Sequence, residues 1–383
     1  MNFEYTDEQR MIKDTVERLV KDRYDFDQRN RYAAEADGYG AEIWATLAEL
    51  GLLAVPFDPD LGGVGGGPVE IMIIMEALGR ALALEPYYAT VVLGGGLLRH
   101  GGTAEQRAAT IPGIIEGSLR LAFAHGEPQS RFDLADVQTT ATRVGGRWRL
   151  HGVKSGVLHG HCADRLIVSA RTANARFDPQ GIGLFLIDPA APGVRRHRYR
   201  TQDGRSAATL ALEGVEVGDE ALIGAPAAGL PIIERAVDEA LAALCAEATG
   251  AMAAGYEMTV EYLKTRRQFG VALATHQALQ HRVVDMLIAV EEARSMTLYA
   301  AMMAGAADPA QRRRAMSAAK VQINDSARLV GQELVQMHGG IGVTQEFKAG
   351  HYLKRLAMAE LEWGDSDHHL AALARDGGLI GQW

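Results

Sequence analysis

The chain has 383 residues, 48% of them hydrophobic and 23% charged, a composition typical of a soluble globular protein with two or three domains. Its net charge of −9, with both signs interleaved, argues against a surface for nucleic acid or for an anionic membrane. No apolar run approaches a membrane span, and the amino-terminal segment is not typical of a signal peptide, so the sequence predicts a cytoplasmic protein.

The first part of the chain has the periodicity of amphipathic helices. Thr6, followed by Gln9 three residues later, predicts a capping box at the start of the first helix. The glycine cluster at 62–67 lacks the Lys-Ser/Thr of a phosphate loop and is interpreted as a surface turn. The predicted helices cover residues 7–22, 40–50, 68–83, 87–100 and 104–117. We therefore predict a helical domain over residues 1–118.

Short segments of alternating polarity follow, separated by turn pairs such as Gly145-Gly146 and Pro192-Gly193. Strands of this length with frequent turns predict a central antiparallel β domain over residues 119–226.

The helical period returns in the last part of the chain. Long helices joined by short links predict an antiparallel four-helix bundle over residues 227–383. The predicted helices cover residues 229–265, 275–304, 309–337 and 346–375. The predicted fold class is thus α+β and multidomain, with a helical, a β and a second helical domain in that order.

The cysteines and histidines do not form a recognisable metal motif. Cys162 and Cys245 lie far apart and are predicted to be buried, without a disulfide. His368 and His369 are adjacent on a predicted helix and would point about 100° apart, which does not suit a chelate. We predict no metal site.

Two stretches carry a specific resemblance, YLKTRRQFGVALATHQALQHRVVDM at 262–286 and QMHGGIGVTQEF at 336–347. Together with LGGVGGGPVEIMIIMEALGRAL and the order of domains, they resemble the acyl-CoA dehydrogenase family over essentially the whole chain. The resemblance implies FAD-dependent oxidation of an acyl-CoA thioester to the trans-2-enoyl-CoA. It also implies electron transfer to an electron-transfer flavoprotein, and a tetramer built from dimers.

The same two stretches suggest a dinucleotide site. Arg266 offers a permanently charged fork suited to a pyrophosphate, and the glycines allow a close backbone approach. The alternative is that Arg266 caps a helix and the glycines only turn the chain. The resemblance implies that the ADP half of a neighbouring subunit's FAD is held by Arg266, Gln268, Phe269, Gln336, Gly339 and Gly340.

Two parts of the sequence depart from the family pattern. In the β domain, Phe132 replaces the family's serine, and Gly156-Val157-Leu158 replaces its Trp-Ile-Thr beside the flavin. Near the carboxyl end, the glutamate that usually removes the substrate's α-proton corresponds to Gly364. Because that proton is only weakly acidic, a carboxylate in a dry pocket is needed within hydrogen-bond reach.

The carboxylates that could replace this base lie at three positions. Glu247 is the preferred candidate, because it lies in the apolar stretch LAALCAEATGAM, where an unpaired carboxylate would be costly. The alternative for Glu247 is a salt bridge with a partner at a subunit interface. Glu362 and Asp365 are second choices because they flank Gly364. Asp238 matches a family aspartate near the pantetheine arm of CoA.

The segment 351–370 resembles the small subunits of two-component bacterial enzymes of the pimeloyl-CoA and steroid side-chain types. The resemblance implies a homo- or hetero-tetramer with a related subunit. Two alternatives remain open: a non-catalytic subunit that completes a partner's FAD site, and a flavin-dependent oxidase on the same fold.

Overall fold

The first helix, α1 (Asp7–Arg23), begins at the predicted capping box in this computed structural model, which describes residues 4–375. The Thr6 hydroxyl oxygen accepts a hydrogen bond from the Gln9 amide at 3.2 Å, and the Gln9 side-chain oxygen accepts one from the Thr6 amide at 3.0 Å. Two otherwise unpaired helix-end donors are thereby satisfied, which confirms the prediction.

Further helices follow as predicted, with one addition. The helix Phe26–Ala34 was not predicted, because its sequence is too polar to show an apolar period. The elements are α2 (Phe26–Ala34), α3 (Ala41–Glu49), α4 (Pro68–Ala81), a π-helical segment (Tyr88–Gly94), α5 (Gly95–Gly101) and α6 (Ala104–Ile115).

The middle of the chain forms an eight-stranded sheet with the spatial order β6-β7-β3-β2-β4-β5-β8, and β1 pairs with β4. The strands are β1 (Leu121–Ala124), β2 (Thr140–Val144), β3 (Arg147–Leu158), β4 (Arg165–Arg171), β5 (Ile182–Ile187), β6 (Val194–Arg200), β7 (Ser206–Val217) and β8 (Leu222–Ile223). The prediction of an antiparallel sheet needs one correction: β1 runs parallel to β4, and β2 makes a single parallel pairing with β4. The remaining pairings are antiparallel.

Long helices make up the rest: α7 (Gly229–Thr265), α8 (Gln277–Ala304), α9 (Pro309–His338), α10 (Ala349–Leu361) and α11 (Ser366–Arg375). A short hairpin of β9 (Arg267–Gln268) and β10 (Val271–Ala272) follows α7. The predicted helix 346–375 is broken between α10 and α11, where Trp363 and Gly364 have φ angles of +60° and +130°. Positive φ is incompatible with a continuous right-handed helix.

The chain divides into two compact units. We call the first the helical unit; it contains the described residues up to Asn30, the segment Pro68–Ala83 and the described residues from Leu241 on. The second, the sheet unit, contains Arg31–Gly67 and Leu84–Ala240. The core of the sheet unit includes Trp148, Leu150 and Phe185.

Helix α8 exposes large apolar side chains along one face. Val284 and Ile288 are each about half exposed, and Leu287, Tyr299 and Met302 are also exposed. Spacings of three, four and eleven residues place these side chains on the same side of a helix. We call these five residues the apolar face of α8.

Candidate functional site

The two stretches that carry the family resemblance lie next to each other in the helical unit. The Tyr262 hydroxyl donates a hydrogen bond to the His338 carbonyl oxygen at 3.4 Å, and the two rings are 4.4 Å apart. The carboxyl ends of α7 and α9 therefore meet. We call Arg266, Gln268, Phe269, Gln336, Gly339 and Gly340, which lie at or just beyond these two ends, the motif surface.

Every residue of the motif surface is exposed. The Phe269 side chain is 92% exposed, and its φ angle of +54° is rare for a residue with a Cβ atom. A Cβ atom added at Gly339 or Gly340 would meet nothing within 4 Å, so the backbone there is open to a close approach. Within residues 4–375, Arg266 has no acidic partner. Among the described residues, no contact supports the alternative in which the Arg266 side chain caps a helix.

The Glu127 side chain stabilises the sheet unit through an ion pair and hydrogen bonds. One carboxylate oxygen accepts hydrogen bonds from the Lys154 ammonium at 2.7 Å and from the Thr139 amide at 2.9 Å. The other oxygen accepts from the Gln138 amide at 2.8 Å. Burial alone would raise the pKa of Glu127, but Lys154 and these donors lower it to about 2. This carboxylate therefore stays ionised and holds β3 to the segment after β1.

Gly156 and Phe132, which differ from the family pattern beside the flavin, have defined conformations and contacts in the sheet unit. Gly156 lies at a positive φ of +67° beside a bulge in the β3–β7 pairing. Its amide donates a hydrogen bond to the Tyr199 hydroxyl at 3.0 Å, so this backbone donor is already used. Phe132 is partly buried, and the Arg131 guanidinium lies 5.8 Å from its ring. The residues of the motif surface fit the ADP half of FAD better than these residues fit its flavin ring.

Gly364, the position that the resemblance assigns to the family's base, has no room for a side chain. Its φ angle of +130° is one that residues with a Cβ rarely adopt. A Cβ atom there would lie only 2.5 Å from the His369 ring nitrogen Nε2. A glutamate could occupy this position only if the turn between α10 and α11 changed.

The preferred base candidate, Glu247, lies in a buried ion pair. Its two carboxylate oxygens accept from the Arg355 guanidinium at 2.9 and 3.1 Å, and the side chains of Glu247 and Arg355 are only 2% and 3% exposed. A bidentate pair of this kind favours the ionised carboxylate and engages both of its oxygens. The geometry thus favours an ion pair within this chain, and not the predicted salt bridge at a subunit interface, while the role of Glu247 as base stays a prediction.

Arg355 also binds the second-choice candidate Glu362. Its Nη1 donates to Glu362 Oε1 at 2.7 Å, whereas Oε2 is buried without a hydrogen-bond partner among the residues that the structure describes. One guanidinium thus serves two carboxylates. We call Glu247, Arg355 and Glu362 the carboxylate triad.

Asp365, the other second choice, acts at the start of α11. Its Oδ1 accepts from the His368 amide at 2.9 Å, which is the geometry of a helix cap. The turn is held from the other side by Lys320, a buried residue that sequence reasoning missed. The Lys320 ammonium donates to the carbonyl oxygens of Ala359, Glu360 and Gly364 at 2.8, 3.0 and 2.9 Å.

Asp238, the predicted contact to the pantetheine arm, is buried in the α7 part of the sheet unit. The next residue, Glu239, was not predicted to matter, yet its carboxylate binds three basic side chains. It accepts from Arg99 at 2.5 Å, contacts His100 at 2.9 Å and pairs with Arg235 at 3.2 Å. Burial opposes ionisation, but these partners lower the pKa of Glu239 to about 2.

Asp37, His161 and Cys162 are the one group of potential metal ligands found within residues 4–375, and their ligand atoms lie within 4.8 Å of one another. Its surroundings oppose a cation. Arg120 donates to the Asp37 carboxylate at 3.0 Å, and burial raises the pKa of the Cys162 thiol to about 12, which keeps it protonated. We assign no metal to this group.

Comparison with known proteins identifies the family of this chain. Three family models cover almost the whole chain: the acyl-CoA dehydrogenase N-terminal domain at residues 6–118, the middle domain at 122–215 and the C-terminal domain at 227–377. The chain belongs to the acyl-CoA dehydrogenase family. It is therefore an oxidoreductase of a flavoprotein class, for which FAD is the expected cofactor.

Individual relatives are similar over most of their length. The mouse mitochondrial short-chain specific acyl-CoA dehydrogenase is 29% identical over 84% of this chain and 78% of its own. Among solved structures, a variant of the Tcur3481-Tcur3483 steroid ACAD is 29% identical, with a TM-score of 0.87 and 97% of each chain covered. The ChsE4-ChsE5 complex from Mycobacterium tuberculosis is 25% identical, with a TM-score of 0.89 and 100% of each chain covered.

Within residues 4–375, no helix is both long enough and apolar enough to cross a membrane.

Proposed function

We propose that this chain is one subunit of a two-chain acyl-CoA dehydrogenase that converts an acyl-CoA thioester to the trans-2-enoyl-CoA. The observation that carries the two-chain part is the blocked position at Gly364, where a Cβ atom would contact His369. An enzyme that needs a carboxylate there has to obtain it from elsewhere.

The motif surface supports a shared cofactor site. Its arginine, two glutamines and two glycines are exposed together, and they suit the pyrophosphate and adenosine half of FAD. Because they face away from the unit that carries them, we propose that they hold the FAD of a neighbouring subunit. When bound, FAD would supply the hydride acceptor for the substrate's β-carbon, and the motif surface of this chain would bind and orient its ADP half.

The contacts of the three candidate carboxylates support a catalytic base that belongs to the partner. Glu247 and Glu362 both bind Arg355, and Asp365 caps α11, so each candidate in this chain already has a structural contact. We propose that the residue that removes the α-proton belongs to the partner. The relative named as the ChsE4-ChsE5 complex, which this chain matches in fold, supports a two-chain assembly of this type.

The substrate and electron acceptor are proposed from the family. An electron-transfer flavoprotein would receive the electrons, and buried Asp238 would lie near the CoA arm. The small side chains along α7 (Ala242, Ala243, Ala246 and Ala248), which are buried, are the reason for proposing a bulky or branched acyl group.

The test is co-expression with the product of an adjacent acyl-CoA dehydrogenase-like gene, compared with each chain expressed alone. We expect a complex with about one FAD per two chains, and acyl-CoA oxidation only in the complex. Activity of this chain alone with a full complement of FAD would refute the two-chain proposal. Oxygen consumption in place of reduction of the electron-transfer flavoprotein would identify an oxidase instead.

A further inference from the structure

The helical unit contains a cavity of about 410 Å³ that the proposed reaction does not use. Four of its helices supply the lining, and none of the lining residues belongs to the motif surface or to the carboxylate triad. The lining consists of Glu17, Val20, Lys21, Tyr24, Arg80, Ala81, Ala254, Lys348 and Tyr352. A volume of this size is in the usual range for small-molecule sites, roughly 300–1,000 Å³.

Positive charge predominates on this lining, since three basic side chains face one acidic side chain. That acidic residue, Glu17, already forms an ion pair with Lys13 on the same helix. Arg80 pairs with Glu257 at 2.5 Å, which leaves the two lysines to determine the local charge. A small anion entering the cavity would therefore meet uncompensated cations.

Lys348 is the central group. Within residues 4–375, its ammonium has neither a hydrogen bond nor a carboxylate partner, and its closest described interaction is with the Tyr352 ring at 5.1 Å. Lys348 also occupies the N-cap position of α10, where the helix's unpaired amides favour negative charge. Burial, Arg29 and Arg80 together lower the pKa of Lys348 to about 8, although the charge of Asp25 acts in the opposite direction.

The rest of the lining suits an organic body attached to an anion. Tyr24 and Tyr352 contribute aromatic rings, while Val20, Ala81 and Ala254 contribute apolar surface. The Tyr352 hydroxyl is fixed by donating to the Arg80 carbonyl oxygen at 2.7 Å, so the ring has a defined position. The cavity is also much larger than a phosphate ion.

We propose that this cavity binds a small phosphorylated molecule of nucleotide size, with its phosphate at Lys348, Lys21 and Arg80. The aromatic and apolar lining contacts the organic part. The site is independent of the proposed dehydrogenase chemistry, because none of its residues takes part in that chemistry.

The test is isothermal titration of the purified, flavin-loaded protein with inorganic phosphate, ribose 5-phosphate and ADP. We expect saturable binding, with at least one organic phosphate binding about tenfold more tightly than inorganic phosphate. Equal affinity for all three probes would overturn the assignment of an organic ligand. No saturable binding at millimolar concentrations would overturn the site.

Variants locate any binding that is observed. We expect Lys348→Met to weaken it about tenfold or more, because the unpaired ammonium is lost while the aliphatic stem remains. Lys354→Met, on the same helix but outside the cavity, is the matched control and should change affinity less than twofold. Since Lys348 makes no ion pair, its replacement should leave the melting temperature unchanged. Equal binding by the two variants would refute the proposal. This outcome includes ADP binding at a vacant cofactor site, because such binding would not depend on Lys348.

Discussion

Arg355 shares one buried guanidinium between two carboxylates, and this arrangement makes Glu247 testable as a structural residue. Because Arg355 keeps Glu362 when Glu247 is replaced, the expected loss is that of a charge-assisted hydrogen bond, about 1.5–3 kcal/mol, and not the larger cost of a buried charge left without any partner. We therefore expect Glu247→Gln to lower the free energy of unfolding by that amount, measured by denaturant titration of the assembled protein.

The control for this variant is Glu261→Gln on the same helix, where the carboxylate forms an exposed pair with Lys264 at 2.8 Å. An exposed pair contributes little, so this variant should change stability by less than about 1 kcal/mol. If Glu247→Gln instead kept full stability and lost turnover a hundredfold or more, Glu247 would be the base and the partner's carboxylate would be unnecessary.

Lys348 gives the proposed phosphate site a pH dependence. Its pKa is lowered to about 8, so the ammonium is present below that pH and is lost as the pH rises through it. A bound anion favours the ammonium form. We therefore expect affinity for an organic phosphate to fall between about pH 8 and 10 in the unaltered protein, whereas the weaker affinity of Lys348→Met stays constant.

Other charged groups near Lys348 have to remain in one state for this experiment to be decisive. Those that face it or influence its pKa are Lys21 and Glu17 from α1, Asp25, Arg29 from α2, and Arg80 from α4 with its partner Glu257 from α7. A pH profile that Lys348→Met leaves unchanged would assign the titration to another group.

At the scale of elements, the turn between α10 and α11 explains why the family base cannot be restored by one substitution. Gly364→Ala introduces a Cβ 2.5 Å from His369 Nε2 at a φ angle of +130°. We expect the variant to melt several degrees lower, because both the steric contact and the backbone angle oppose the new side chain.

Gly305→Ala at the end of α8 is the comparison for this variant. The φ angle of Gly305 is −80°, and an added Cβ would come no closer than 3.8 Å to any neighbour, so its melting temperature should change little. Equal stability of the two variants would show that the turn can adapt, and a base at 364 would again be open.

Sequence periodicity predicted the long helices and the capping box because both depend on neighbouring residues. It did not predict the break at Trp363 and Gly364, although Gly-Asp-Ser-Asp at 364–367 is typical of a turn followed by a new helix start. Glu247 could be recognised as unusual from its apolar neighbours, but its partner Arg355 is 108 positions away and shows no local signal. The contacts of Lys320 and Glu239 were missed for the same reason.

At the scale of the whole molecule, Arg266 should decide how firmly the cofactor is held. We expect Arg266→Met to reduce the FAD retained after gel filtration about tenfold or more, measured from the flavin absorbance per chain, because a charge-assisted contact to pyrophosphate is lost. Arg267→Met is the control, since Arg267 is equally exposed but donates to the Gly270 carbonyl oxygen of its own hairpin. Equal FAD loss in both variants would mean that general positive charge, and not the motif surface, holds the cofactor.

The apolar face of α8 has a practical consequence for preparing the protein. Five large apolar side chains exposed to water favour aggregation of chains that have not assembled with other subunits. When this chain is expressed alone, we expect most of it in the insoluble fraction after lysis. Replacing Val284 and Ile288 by lysine should move the chain to the soluble fraction.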